Sequence, residues 1–328
     1  MEQKKLMDDL KSGIFQPAYL LHGEERYLIS HYAKAIEDAV FPSKDTYKDV
    51  FDGSVPAHEI IMTAETLPFF ADHRLVYVRD SKLFATGRKD DAEAIATYLS
   101  KIPQKTIIVF VEPEVDRRSK LFKQMAKDGC VIDCAPPTPQ TLATWVAKLA
   151  RKKNKAITPA VAQHFIRIVG TDMLNLSNEM DKLAAYAQNE ITIQDIDTIC
   201  TPTLESRIFE LVKSVCTGHI EDALRRYRDM LILKESPIMI LTMIIRQFRI
   251  ILLSKCAKEN GMTIIQTATE FGLRDFMVNE ALSQGRRFTT DALINALDDC
   301  LDVDVKIKTG LVSPELGVEM LIIKYGNL

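Results

Sequence analysis

Two adjacent prolines, within the segment APPTP at residues 135–139, divide the sequence into two parts with different patterns. A proline has a fixed φ and no backbone N–H, so neighbouring prolines interrupt both a helix and a central strand. Short apolar runs alternate with helical patterns before this segment, whereas helical patterns alone follow it. The sequence therefore predicts an α/β domain over residues 1–139, ending in a linker, and an all-helical remainder.

Four short apolar runs of the first part are typical of buried strands. They are PAYLLH (17–22), RLVYV (74–78), TIIVFV (106–111) and CVIDC (130–134). Helical patterns separate them, over 24–40, 57–66, 92–99 and 117–127. Continuous apolar strands that alternate with helices indicate a parallel sheet with both faces covered. We predict one α/β module.

Hydroxyl–proline pairs mark predicted helix starts from the linker onward. They are Thr138-Pro139, Thr158-Pro159, Ser236-Pro237 and Ser313-Pro314. The hydroxyl can cap the helix, and proline is tolerated at the first helical position because its missing N–H has no partner there. Thr192 and Asp195 resemble a capping box. A break near 201–203 predicts a compact helical domain over 140–203 and a longer one over 204–328.

Composition and charge exclude several classes of protein. With 42 Lys and Arg against 45 Asp and Glu, the net charge is −3, which excludes a protein that holds nucleic acid through bulk positive charge. The chain is 47% hydrophobic and 27% charged, which excludes a disordered chain. The most apolar stretch, 237–245, is shorter than the ~20 residues of a membrane-spanning helix. We predict a cytoplasmic protein that does not contact membranes.

The six cysteines have no spacing typical of a metal site. None forms a C-x-x-C pair, and Cys130 and Cys134 have no nearby histidine to complete a zinc site. Buried, reduced thiols are the expected state in a cytoplasmic protein. No metal and no cofactor is predicted.

The segment GEERYLIS, residues 23–30, stands where a phosphate-binding loop is expected, between a strand and a helix. The active motif is G-x-x-x-x-G-K-[ST]. Gly23 and Ser30 match its outer positions, but Leu28 replaces the second glycine and Ile29 replaces the lysine. Two glutamates after Gly23 add negative charge where a triphosphate would bind. We predict a degenerate P-loop without nucleotide hydrolysis, although a chance similarity at a simple turn stays open.

An aromatic pair follows the second predicted helix, in the segment PFFAD at 68–72. Within that helix, four apolar residues are predicted to share one face: Ile60, Ile61, Ala64 and Leu67. Proline ends the helix, so Phe69 and Phe70 fall on a turn, where chains usually reach the surface. Two adjacent large apolar residues on an exposed turn can enter a pocket on a partner. The alternative, with one or both rings folded under the sheet, stays open from these residues.

Six segments of the chain together resemble the delta-subunit family of bacterial DNA polymerase III, the clamp-opening subunits of sliding-clamp loaders. They are PAYLLHGEERYLI, LPFFADHRLVYVRD, VGTDMLNLSNEMDKLAAY (169–186), ESRIFELVKSVCTGHIEDAL (205–224), SPIMILTMIIRQFRIIL (236–252) and DVDVKIKTG (302–310). Each segment is moderately specific. Their order is more specific, and they extend over essentially the whole chain.

The resemblance implies an AAA+-like architecture: a parallel-sheet module with a degenerate P-loop, a small helical lid and a C-terminal helical collar domain that joins other clamp-loader subunits in a ring. It also implies a polymerase subunit without a catalytic site of its own, in agreement with Leu28 and Ile29. The family's hydrophobic pair that contacts the sliding clamp falls on Phe69 and Phe70, with Leu67 beside it. Some relatives have Leu where this chain has Phe69.

Six basic residues of the predicted collar domain are candidates for contact with the phosphates of primer–template DNA. They are Arg246, Arg249, Arg286, Arg287, Lys306 and Lys308. A solvated surface is the simpler interpretation, because Asp302 and Asp304 could pair with the two lysines. Two other functions stay open from the residues: an active P-loop ATPase or kinase, and a DNA-binding remodelling factor that works without a clamp.

Overall fold

The chain divides between Thr138 and Pro139 into two units in the computed structural model, which describes residues 2–42, 48–68 and 72–327. The division falls in the proline segment at 135–139. A further division of the helical part near 201–203 stays a prediction.

The first unit is an α/β module. In chain order its elements are α1 (Glu2–Ser12), β1 (Ala18–His22), α2 (Arg26–Val40), β2 (Lys48–Asp52), α3 (Ala57–Glu65), β3 (Arg74–Arg79), α4 (Lys89–Tyr98), a 3₁₀ turn (Leu99–Lys101), β4 (Thr106–Glu112), α5 (Lys120–Asp128) and β5 (Cys130–Asp133). The strands form one parallel sheet in the order β2-β3-β4-β1-β5. The predicted parallel sheet is confirmed, with β2 as an additional edge strand.

The two faces of the sheet are covered by different helices. Leu20, Val76 and Phe110 lie in one core with residues of α3, α4 and α5. A helix that follows β1 contacts the other face: the Tyr77 hydroxyl donates to the carbonyl oxygen of Ala33 in α2 (2.7 Å). The connection after β1, which contains α2, therefore lies on one face of the sheet, and the later connections, which contain α3, α4 and α5, lie on the other. The carboxyl end of β1 is a topological switch point, where open α/β sheets bind ligands.

The second unit is helical, as predicted. Its helices are α6 (Pro139–Lys152), α7 (Pro159–Val169), α8 (Met173–Tyr186), α9 (Ile193–Ile199), α10 (Leu204–Cys216), α11 (Ile220–Ile232), α12 (Pro237–Glu259), α13 (Ile264–Phe271), α14 (Asp275–Gln284), α15 (Thr290–Lys308) and α16 (Pro314–Gly326). Thr158 and Ser313 cap their helices, and Thr192 forms the predicted capping box with Asp195. The Ser236 side chain forms no cap hydrogen bond.

Helix α12 is long and apolar enough to cross a membrane by length and composition. It packs against α10, α14, α15 and α16. Its buried residues Leu241, Ile244 and Phe248 belong to the core of the second unit, where Phe248 contacts the rings of Phe288 and Tyr325. Helix α12 is therefore a partly buried core helix, as predicted for its segment 237–245.

Candidate functional site

The loop at the switch point is shorter than a phosphate-binding loop. Two residues separate Gly23 from Arg26, where α2 begins. In a P-loop the glycine-rich segment spans four residues between its glycines before the helix begins. Leu28 and Ile29, which occupy the positions of the second glycine and the lysine, lie inside α2, and Leu28 is buried. Ser30 is an exposed residue of the same helix. The chain therefore enters α2 before it reaches the positions of the second glycine and the lysine.

The backbone of this loop bonds to its own module. The N–H of Gly23 donates to the carbonyl oxygen of Glu112 (3.3 Å), and the N–H of Glu25 donates to that of Cys134 (2.9 Å). Gly23 has φ +131°, and a Cβ there would lie 2.6 Å from the Cys134 carbonyl. The Glu25 carboxylate accepts from the N–H of Tyr27 (3.0 Å), so it caps α2. The anion at this helix N-terminus is thus the protein's own side chain.

A second carboxylate, that of Glu112, lies at the carboxyl edge of the sheet beside this loop. Glu112, the last residue of β4, is 1% exposed. One of its oxygens accepts from the N–H of Ser81 (3.0 Å) and from the Ser81 hydroxyl, and the other accepts from the N–H of Lys82 (3.1 Å). Burial raises the pKa of Glu112, although these hydrogen bonds oppose the shift. The turn after β3 is therefore held by an internal carboxylate.

Arg88 connects this turn to the start of α3. Its guanidinium donates to the carbonyl oxygens of Ser81 (2.7 Å) and Val55 (2.6 Å) and pairs with Asp91 (2.7 Å). The other oxygen of Asp91 accepts from the N–H of Ala57, the first residue of α3 (2.9 Å). This hydrogen bond is the main cause that lowers the pKa of Asp91. A side chain of α4 therefore supplies the missing N-cap of α3.

The C-terminal end of α3 is also held by hydrogen bonds. The Thr106 hydroxyl donates to the carbonyl oxygen of Ala64 (2.8 Å). Arg74 donates to the carbonyl oxygen of Thr66 (3.3 Å) and pairs with Asp49 of the edge strand β2 (2.7 Å). Both ends of α3 are thus tied to the sheet or to its neighbouring helix.

Helix α3 buries one face and exposes the other. Ile60 and Ala64 are fully buried, whereas Met62 is 68% exposed. Leu67 is 63% exposed and lies beyond the end of α3, so the prediction that it shares a helical face with Ile60 and Ala64 is wrong. The reason is local: α3 ends at Glu65 and the next residue is extended, so the helical spacing no longer applies at position 67. Met62 was missed because it lies off the apolar face that Ile60 and Ala64 define, and a single exposed apolar residue is no sign of a contact.

Phe69 and Phe70, the other two predicted contact residues, lie outside the described residues. They follow Leu67 and Pro68 directly in the sequence. The described part of the candidate site is therefore α3, its two anchored ends, and the exposed side chains of Met62 and Leu67.

Three of the six predicted DNA-contact residues have carboxylate partners. The pairs are Arg246–Glu205 (3.1 Å), Lys306–Asp302 (2.6 Å) and Lys308–Asp304 (2.6 Å). The two lysine pairs are i,i+4 contacts along α15, as the simpler interpretation of a solvated surface expects. Arg249, Arg286 and Arg287 are exposed and form no ion pair with the described residues. Of the six basic residues, these three arginines are therefore better able to bind a phosphate than the three that are paired with carboxylates.

Exposed apolar stripes on α15 and α16 were not among the predicted sites. Their members are Ile294, Leu301 and Val305 on α15 and Leu316, Met320 and Ile323 on α16. The spacings of seven and four, and of four and three, place each set on one face of its helix. Apolar residues on a face that the unit itself leaves exposed indicate contact with another protein.

Fold and site together define a parallel-sheet α/β module, with a short loop at its switch point, that is followed by a helical C-terminal part. Residues 19–135 match the family model "DNA polymerase III, delta subunit", and residues 205–325 match the model of the delta subunit's C-terminal domain. Together the two models span most of the chain. The chain belongs to the family of DNA polymerase III delta subunits.

A sequence relative and a solved structure, both from Bacillus subtilis, agree with this assignment. DNA polymerase III subunit delta of Bacillus subtilis (strain 168) is 29% identical over 328 residues, which cover 96% of this chain and 94% of the relative. The solved structure of the Bacillus subtilis DNA clamp loader delta protein (YqeN) matches with a TM-score of 0.72 and 27% identity, over 99% of each chain. The similarity therefore covers both units.

Proposed function

We propose that this clamp-loader subunit binds the sliding clamp through Leu67, Phe69 and Phe70 and opens it for loading onto primed DNA. The observation that carries the proposal is the exposure of Met62 on α3 and of Leu67 directly after it, on a helix whose two ends are held in place. Met62 extends the contact on the outer face of α3.

Opening the clamp requires a preference for one of its states. A partner can favour an open ring only if it binds the open ring more tightly than the closed one. Burying Phe69 and Phe70 in an apolar pocket supplies ~1.5–3 kcal/mol for each ring. Helix α3 then presses against the clamp near its subunit interface, and its anchored ends transmit the force to the sheet.

The chain performs this task without binding nucleotide itself. The short loop after Gly23, its bonded amides and the carboxylate cap of Glu25 support this proposal. Calorimetric titration with Mg-ATP should release no binding heat at millimolar nucleotide. Tight binding would favour the P-loop ATPase instead.

The C-terminal helical domain joins the other clamp-loader subunits in a ring. The exposed stripes of α15 and α16, defined by Leu301 and Met320 and their neighbours, are the proposed contact surface. Arg249, Arg286 and Arg287 are the proposed contacts with primer–template DNA in the assembled complex. Each phosphate contact that is removed should lower the dependence of DNA affinity on the logarithm of salt concentration by about one.

The domain partition and location complete the proposal. The clamp-binding module is 1–139, the lid is 140–203 and the collar domain is 204–328. The protein acts in the cytoplasm, as expected for a replication subunit.

The decisive experiment is clamp binding by the full chain, measured by surface plasmon resonance with immobilised clamp. The double variant Phe69→Ala/Phe70→Ala should lose about 100-fold or more in affinity, the loss expected for two buried rings. Circular dichroism should show that this variant keeps its fold. Unchanged affinity would reject the assignment.

A matched control uses two phenylalanines of the second unit. Phe271 and Phe276 are 37% and 41% exposed. The double variant Phe271→Ala/Phe276→Ala removes the same number of rings and should bind the clamp like the unaltered chain. An equal loss in both variants would mean that the effect is not specific to residues 69 and 70.

A further inference from the structure

Helix α3 depends on a neighbouring helix for its N-terminal cap. Pro56 precedes the helix and offers no capping side chain. The Asp91 carboxylate of α4 takes that place at the N–H of Ala57 (2.9 Å). Since a first-turn N–H without a partner is costly, α3 begins where Asp91 holds it.

The packing of the buried side chains of α3 does not by itself fix the direction of the helix. Two of its three fully buried residues, Ala57 and Ala64, are alanines; Ile60 is the third, and Ile61 packs partly buried against the same core. Small side chains leave a packed helix room to rotate or tilt with little loss of buried area, whereas hydrogen bonds depend on distance and angle. The direction of α3 therefore depends on the hydrogen bonds at its ends as well as on this packing.

Arg88 joins three segments of the chain that meet at the start of α3. It contacts the turn after β3 at Ser81, the segment before α3 at Val55, and α4 at Asp91. Its side chain is 16% exposed. The planar guanidinium has several donors in a fixed geometry, which the single ammonium of lysine cannot reproduce.

The same turn is fixed from the other side by the buried carboxylate of Glu112, at the sheet edge described above. The series Glu112, Ser81, Arg88, Asp91 and Ala57 therefore leads from the carboxyl edge of the sheet to the start of α3. Each step is a direct hydrogen bond of this module.

We propose that Arg88 and Asp91 are positioning residues, which fix the direction of α3 and thereby the presentation of Leu67 to the clamp. This inference rests on the proposed function, because the clamp is the partner whose binding depends on the direction of α3. Arg88 and Asp91 themselves need not touch the clamp.

The first test compares conservative with disruptive variants in clamp binding. Arg88→Met should weaken clamp affinity by about 2- to 30-fold, the range seen when residues between two coupled sites are altered. Asp91→Ala should act alike. Asp91→Asn keeps an oxygen for the N–H of Ala57 and should recover part of the loss, whereas Arg88→Lys should recover little. Equal losses in Asp91→Asn and Asp91→Ala would contradict a role for the cap.

The second test measures the direction of α3 without the clamp. Nitroxide labels are attached at Met62→Cys and Lys127→Cys, two exposed positions on α3 and α5, in a Cys256→Ser background, since the five other cysteines are buried. Double electron–electron resonance gives the distance distribution between the labels. Arg88→Met should shift or broaden this distribution. A purely structural role would lower the free energy of unfolding and leave the distribution unchanged, which would overturn the proposal.

Arg118→Met is the matched control. Arg118 is 90% exposed and pairs with Asp116, so its loss should change neither the distance distribution nor the clamp affinity. If Arg88→Met fails to fold, the comparison of Asp91→Asn with Asp91→Ala decides in its place.

The outcomes separate this inference from the proposed function. If the Phe69→Ala/Phe70→Ala variant keeps full clamp affinity, the proposed function is rejected. The idea that clamp binding depends on the direction of α3 is then rejected with it. Loss of affinity in that variant, together with normal affinity and an unchanged distance distribution in Arg88→Met, rejects the positioning role alone.

Discussion

The two units differ in how they expose apolar side chains. Among the described residues of the first unit, the large apolar side chains that stay exposed are few: Ile14, Val50, Met62 and Leu67. Two of them lie on α3 or directly after it. In the second unit, exposed apolar residues occur on every helix from α11 to α16. The first pattern is that of a small contact dominated by a few residues, and the second is that of an extended interface.

The polar groups of the two units differ as well. In the first unit, Glu112 is buried and holds a turn, and burial raises its pKa. In the second unit, Asp222 lies near the surface between α10 and α11, where Ser214 and two arginines lower its pKa well below the usual range. The hydrogen bonds of Glu112 thus fix a sheet edge, whereas those of Asp222 join two helices.

The largest effect is expected from charges on the α15 stripe. Leu301→Glu with Val305→Glu should weaken assembly with the other clamp-loader subunits by at least about 100-fold, because an interface would bury two unpaired carboxylates. Analytical ultracentrifugation of the reconstituted complex measures this loss. Clamp binding by the isolated chain should not change.

The control for this prediction lies at another exposed position of the second unit. Ile193→Glu, at a residue 47% exposed in α9, should assemble normally. Normal assembly of the α15 double variant would show that the stripe is not an interface.

A smaller effect is expected from one side chain of the first unit. Leu67→Ala should weaken clamp affinity by about 10- to 50-fold, since truncation removes about 2 kcal/mol of apolar burial at the contact. Surface plasmon resonance checks the value. Ile14→Ala, at a residue 57% exposed in the same unit, should have no effect. If both variants bind equally well, the contact does not include Leu67.

The sequence predicted the sheet better than it predicted the site. Apolar runs such as 106–111 became central strands, because burial on both faces leaves few polar residues in them. The edge strand β2, KDVFD, was missed because only two of its five residues are apolar and none of the five is fully buried. Helix α1 was missed because its residues are mainly polar.

The site depends on contacts that no local pattern contains. The degenerate motif at 23–30 and a helix starting close behind Gly23 were both visible in the sequence, but the hydrogen bonds of Gly23 to Glu112 and of Glu25 to Cys134 were not. The link from Arg88 to Val55 joins residues far apart in sequence. The capping of Ala57 by Asp91 likewise spans 34 positions, so no capping rule based on neighbouring residues could reveal it.

Asp222 gives a prediction about stability. Asp222→Asn should lower the free energy of unfolding by about 1 kcal/mol at pH 7, because charge-assisted hydrogen bonds to Ser214, Arg225 and Arg226 become weaker. Since its folded pKa is lowered, the stabilisation is fully present above the unfolded pKa of about 4 and is lost as the pH falls through the folded pKa. Urea unfolding at pH 7, 5 and 3 should show a difference between the two chains that is constant down to pH 5 and smaller at pH 3. A difference that grows on acidification would contradict the assigned shift.

The smallest effect is expected from a single truncation in the extended surface. Met320→Ala, at a residue 54% exposed on α16, should weaken assembly by less than about threefold, because most residues of a large interface contribute little individually. The same ultracentrifugation measurement applies, with Leu67→Ala in clamp binding as the comparison. A loss of 10-fold or more at Met320 would show that the helical unit also concentrates its binding energy in a few residues. The two units would then differ in where their contact residues lie, but not in how binding energy is distributed among them.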